Sequence, residues 1–115
     1  MPLKRVKKTV LKLNKGAVLI EYDAILFCKT EGNCTRINEV EERTHIVSES
    51  LRKIEDRLQS EQFIKIHRSH IINIQHIREI DNKVIVMDDG TKLEIARRKK
   101  TPLKKLILKL AYMEN

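Results

Sequence analysis

Three groups of hydrogen-bond donors stand out along the chain: Asn33, Thr35 and Arg36; then Arg68 and Ser69; then the four consecutive bases Arg97, Arg98, Lys99 and Lys100. Arginine can grip guanine O6 and N7 with two parallel bonds, while Ser, Thr, Asn and Lys suit phosphate oxygens. The chemistry they offer is recognition of a polyanion. Each group borders a segment that reads as a strand, so a fold must bring the three together, because spacing alone does not. Taken singly, each is equally what a solvated loop looks like.

Catalytic constellations are missing from the same residues. The three glycines, Gly16, Gly32 and Gly90, each sit where a turn is needed, so neither a phosphate-cradling loop nor a dinucleotide fingerprint can be assembled. Ser60 and Ser69 lack a nucleophile elbow. His67, His70 and His76 have no helical metal-ligand spacing, and on an extended chain residues 67 and 70 point to opposite faces. No enzyme activity, metal or cofactor is expected. Single-strand binders stack bases on aromatic platforms. Here Tyr22, Phe27, Phe63 and Tyr112 are the only aromatics, and the first three lie in apolar strand contexts.

The charge distribution supports a polyanionic partner. Lys and Arg number 24 against 16 Asp and Glu, a formal charge of +8. Residues 1–15 carry six bases and no acid, residues 97–115 seven bases and one acid, and the centre eleven bases against fifteen acids. Acids in the centre favour solubility while both ends are drawn to phosphates. At 115 residues and 41% hydrophobic the chain suits one domain. Its apolar runs are too short to span a bilayer and no signal-like segment follows the early lysines, so a cytoplasmic, membrane-free protein is expected. Cys28 and Cys34 flank a turn around Glu31-Gly32-Asn33. With a two-residue loop at Glu31-Gly32, Cys34 would face Lys29 and Cys28 would face Thr35, so reduced packing thiols are expected.

Strands must position these donors, because period-2 alternation dominates. Residues 9–15 and 17–22 flank Gly16; 24–30 and 34–40 flank the second turn; 44–47 follows a polar run. Ser48 is a candidate N-cap, with Glu49 in the first turn and Leu51, Ile54 and Leu58 as the apolar stripe of a short helix whose other face, Arg52, Lys53, Asp56 and Arg57, should be wet. Residues 63–67 alternate, with Ile64 and Ile66 on one face and Phe63, Lys65 and His67 on the other. Residues 71–80 are apolar but interrupted. Residues 84–87 pair with 92–95 across Asp89-Gly90, a type I′ turn signal. Thr101-Pro102 reads as the N-cap and N1 of a closing helix whose stripe is Leu103, Leu106, Ile107 and Leu110. The fold class is mainly β with one short amphipathic helix and a C-terminal helix. Residues 1–8 read as a basic tail, 9–110 as the domain and 111–115 as a second tail.

The run Ala24-Ile25-Leu26-Phe27-Cys28-Lys29-Thr30-Glu31-Gly32-Asn33-Cys34-Thr35-Arg36-Ile37 resembles the first signature of the LytTR DNA-binding domain, an output module of bacterial response regulators. Phe63 to Asn73 is similar to its second signature and Asp89 to Arg98 to its third, in family order over roughly residues 9–107. The resemblance implies an elongated stack of small antiparallel sheets that places loops, not a recognition helix, into successive major grooves. It implies double-stranded promoter DNA as partner, bound by two copies on direct repeats, the chain being either the output domain of a response regulator whose receiver domain lies outside these residues or a stand-alone regulator. Carried over by position, base contacts fall on Thr35, Arg68 and Arg97, and phosphate contacts on Asn33, Arg36, Ser69, Arg98 and Lys100. Lys29, Cys34 and Ala96 depart from the pattern, standing where an acid, an aromatic and a capping serine are common. His67 and Asn73 are expected to be structural, as a hydrogen-bonded pair or turn anchors. The alternative reading is an RNA-associated or protein-interaction module that uses the basic ends without reading bases.

Overall fold

The structure is a computed structural model that describes residues 7–13 and 16–113. Strands β1 (Lys8–Leu13) and β2 (Gly16–Glu21) form an antiparallel hairpin with Leu13 opposite Gly16. The connecting residues 14–15, most of the basic N-terminal tail (1–6) and the last two residues lie outside the described residues. Strands β3 (Ile25–Glu31), β4 (Cys34–Glu39), β5 (Thr44–Val47), β6 (Phe63–His67) and β7 (His70–Asn73) make a five-stranded antiparallel sheet ordered β5-β4-β3-β7-β6. Strands β8 (Ile77–Ile80), β9 (Val84–Met87) and β10 (Lys92–Glu94) make a third sheet ordered β10-β9-β8. Helices α1 (Leu51–Arg57) and α2 (Lys100–Met113) complete the architecture.

The period-2 pattern explains why the central sheet has two dry faces. On one, Ile25, Cys28, Ile37 and Ile71 pack with Leu11 and Ile20 of the hairpin and with Leu51, Ile54 and Leu58 of α1. On the other, Phe27, Ile66 and Ile72 pack with Ile85, Met87 and Leu93 of the small sheet and Leu103 of α2. As the alternation of β6 requires, Ile64 and Ile66 join the second core and Phe63 the first. Burial on both faces specifies register, because a slip of one residue would exchange the two cores.

Four local expectations are corrected. The β3–β4 loop is Gly32-Asn33, with Glu31 opposite Cys34 and Cys28 opposite Ile37. Gly32 takes φ +61°, the left-handed backbone that glycine adopts without a Cβ clash. The thiols remain apart and free, and burial pushes Cys28 up to about 12, which makes it an inert packing group. The β9–β10 loop has three residues, Asp88 to Gly90, because Asp89 accepts bonds from both the N–H and the hydroxyl of Thr91, and Gly90 turns at φ +90°.

The N-cap of α1 is Ser50 rather than Ser48, its Oγ accepting from Lys53 N at 3.2 Å. Glu49 stays outside the helix and takes Arg57 in a two-point ion pair, 2.7 Å at each contact, so Arg57 is half-buried while Arg52, Lys53 and Asp56 are exposed. Winding into α2 begins ahead of Thr101, in a 3₁₀ turn over Arg97–Lys99 closed by Lys99 N to Ala96 O at 2.8 Å. Pro102 therefore lies in the first turn of α2, where a missing N–H costs nothing. Leu103 is fully buried, Leu106 and Ile107 are half-buried, and the Leu110 side chain lies outside the described residues. The backbone of α2 continues to Met113. Among the described residues no helix is long and apolar enough to cross a membrane.

Candidate nucleic-acid interface

Antiparallel pairing sets the ends of β3 and β6 side by side. β7 runs between them, with His70 opposite both Lys29 and His67. The two turns, Gly32-Asn33 and Arg68-Ser69, consequently lie at the same end of the sheet. Thr30 N donates to Ser69 O at 3.0 Å and locks one turn against the other strand.

The third segment is attached through an irregularity. Register between β6 and β7 shifts between Lys65 and His67, and the carbonyl of Ile66 accepts from Ala96 N at 2.8 Å. One residue later the chain enters Arg97–Lys99. Ala96 supplies no side-chain cap, and α2 has no acid in its first turn. Four bases at a helix N-terminus meet the positive end of its dipole, an arrangement unfavourable for the isolated fold and favourable for an anion.

Together these segments line a groove of about 550 Å³ formed by Lys65, His67, Arg68, Ala96, Arg98, Lys99 and Pro102. A smaller depression of about 260 Å³ lies among Lys29, Thr30, Glu31 and Arg36. Alternation puts Lys29, Glu31 and Arg36 on the same face of the central sheet as His70 and Phe27.

Of the residues singled out from sequence, Arg68 and Arg98 line the groove, Arg97 is exposed in the adjoining turn, and Lys100 is half-buried at the helix start. Asn33 is exposed at the hairpin tip. Ser69 is half-buried, its N–H donating to His67 Nδ1 at 3.1 Å and its carbonyl taken by Thr30. Arg36 is held by Glu31 in a two-point ion pair at 2.8 and 2.9 Å, which lowers the carboxyl's pKa and raises that of the guanidinium.

Thr35 is a correction. It is 0% exposed and its hydroxyl donates to the Glu49 carbonyl at 2.8 Å. Its strand position points into the core beneath α1, so it offers a base nothing.

The expectation that His67 and His70 point apart is also overturned. The Arg68-Ser69 turn reverses the chain and stacks the two rings, centroids 4.8 Å apart. Burial lowers the His70 pKa, with the nearby His67 and Lys29 acting the same way and the Ser69 backbone bond and Glu94 opposing. His67 and Asn73 do not bond to each other. Asn73 is a turn anchor by itself, fully buried, donating to Tyr22 O and Ile25 O at 3.1 and 2.8 Å and accepting from Gln75 N at 3.0 Å. Among the described residues no cluster of His, Cys, Asp or Glu could hold a metal ion. Sequence reasoning missed Lys29, Lys65 and His67 as parts of the basic surface. The pairing of Lys29 with Arg36 was hidden by the expected Glu31-Gly32 loop, which set Cys34 opposite Lys29.

The comparisons bear on family and fold. Residues 15–108 match the family model described as the LytTr DNA-binding domain. The sensory transduction protein LytT of Bacillus subtilis is 30% identical over 105 residues, covering 87% of this chain and 43% of that protein. The transcriptional regulatory protein LytR of Staphylococcus aureus is 36% identical over 55 residues, 44% of this chain and 22% of that one. The chain thus spans less than half the length of these curated relatives. A solved LytTr DNA-binding domain from Bacillus cereus superposes with a TM-score of 0.73 at 25% identity, covering 90% of this chain and 98% of that one. With the family model matched over most of its length and the solved LytTr domain superposing on its fold, this chain belongs to the LytTr DNA-binding domain family.

Proposed function

We propose that the chain binds double-stranded DNA sequence-specifically and is the DNA-contacting part of a transcriptional regulator. The observation that supports this most is the groove in which Arg68 meets Arg98 and Lys99, at the sheet end that also carries Lys29 and Asn33. In this reading Arg68 and Arg97 read base edges in successive major grooves. Asn33, Ser69, Arg98, Lys99 and Lys100 hold phosphates and set register. Thr35 has no part beyond supporting the hairpin. The protein reads with loops because its exposed donors lie in turns, and two copies on a direct repeat would double the sequence read.

The test is selection of genomic fragments by the purified chain, followed by anisotropy titration of the enriched duplex over a range of salt. Tight binding that falls steeply with salt, with a two-part repeat in the enriched sequence, is the expected outcome. Preference for structured or unpaired RNA at matched salt would overturn the reading, and so would an affinity indifferent to salt.

A further inference from the structure

Lys29 and Arg36 are directly opposite each other across β3 and β4. Two cations so placed repel. Glu31, two residues along from Lys29 on the same face, offsets this by presenting both carboxylate oxygens to Arg36, to Nε at 2.8 Å and Nη2 at 2.9 Å. A carboxylate gripped by a guanidinium fork with a lysine beside it has the geometry of a bound phosphate oxygen pair. The two side chains are 36% and 48% exposed, for Arg36 and Glu31 respectively, so neither is trapped. Exposed pairs of this kind are weak and readily exchanged.

We infer that Glu31 is an internal competitor for DNA phosphate: it occupies the anion site formed by Arg36 and Lys29 in the free protein, so that a DNA phosphate must displace it. This rests on the proposed DNA-binding reading and deepens it. The cost of that displacement falls on every duplex alike, because the phosphate contact does not depend on sequence. Glu31 therefore weakens binding to right and wrong sequences by the same factor. Its carboxyl, held below the usual range by Arg36, stays ionised at every pH used for binding.

The experiment titrates a random-sequence duplex pool and the selected duplex with the intact chain, E31Q, R36A, the double variant E31Q/R36A, and R68A. The expected result is that E31Q binds the random pool about two- to fivefold more tightly and with a salt slope steeper by about one. Its affinity for the selected duplex rises by the same factor, and less than half of the E31Q gain survives in the R36A background. Unchanged or weaker random-pool binding by E31Q overturns the inference, as does a gain that is the same with and without Arg36. R68A separates the two levels. If it weakens selected-duplex binding while E31Q changes nothing, only the role of Glu31 fails; if it changes nothing, the DNA reading and this inference fall together.

Discussion

Two polar regions of the molecule treat their hydrogen-bonding groups in opposite ways. At the corner where the 3₁₀ turns over Tyr22–Ala24 and Ile74–His76 meet, nearly every polar side chain is used internally. Asn73 makes three bonds, Gln62 donates to Asp23 at 2.6 Å, His76 spans Asp88 and the Asp23 carbonyl, and Arg78 reaches the Asp88 carbonyl. At the other region, among the described residues, Arg68, Arg97, Arg98 and Lys99 make no side-chain hydrogen bond or ion pair. A group satisfied inside the fold contributes stability; a cation left with only water retains its donors for a ligand. The difference separates architecture from recognition without reference to any relative.

Substitutions can break that separation. The largest expected effect is Asn73→Ala, which strips buried partners from two carbonyls and an N–H and should destabilise by about 3 kcal/mol. Urea unfolding would read this as a fall in midpoint; an unchanged midpoint would mean the corner is not structural. Arg68→Ala should do the reverse, costing about 1 to 3 kcal/mol of binding to the selected duplex and leaving stability within about 0.5 kcal/mol.

Smaller effects sharpen the contrast. Arg98→Ala should weaken all duplexes alike and lower the salt slope by about one, yet stabilise the free protein by about 0.3 to 1 kcal/mol by relieving repulsion at the α2 N-terminus. Thermal unfolding without DNA checks the second half. The smallest effect concerns pH. Because His70 is held below its ordinary value in the folded state, the unfolded chain binds more protons as pH drops through about 6.5, and stability falls. His70→Gln should remove part of the loss seen between about pH 7.5 and 5.5; an identical loss in the variant would show that His70 carries none of it.

Much of the fold was legible along the chain because it is local. The alternation of residues 63–67 assigned Ile64 and Ile66 to one face and Phe63 to the other, and Leu51, Ile54 and Leu58 marked α1. Turn positions were visible in Gly32 and Gly90, but loop lengths were not, since they follow from where the neighbouring strands stop pairing. Sequence pointed to Ser48 as the cap of α1; Ser50 takes the role in the structure, where the carbonyl of Glu49, between the two serines, is claimed by Thr35 fourteen positions away.

The basic character and the three donor clusters belong to the sequence alone, since charge and residue type do not depend on folding. Which donors face water belongs to the tertiary structure. Thr35 and Arg36 are adjacent hydrogen-bond donors, but a strand sends successive side chains to opposite faces. One lies beneath α1 and the other on the open surface. Arg98 meets Arg68 because the Ile66 carbonyl, at the shifted step of β6, is free to hold Ala96, a contact thirty residues long that no local pattern encodes.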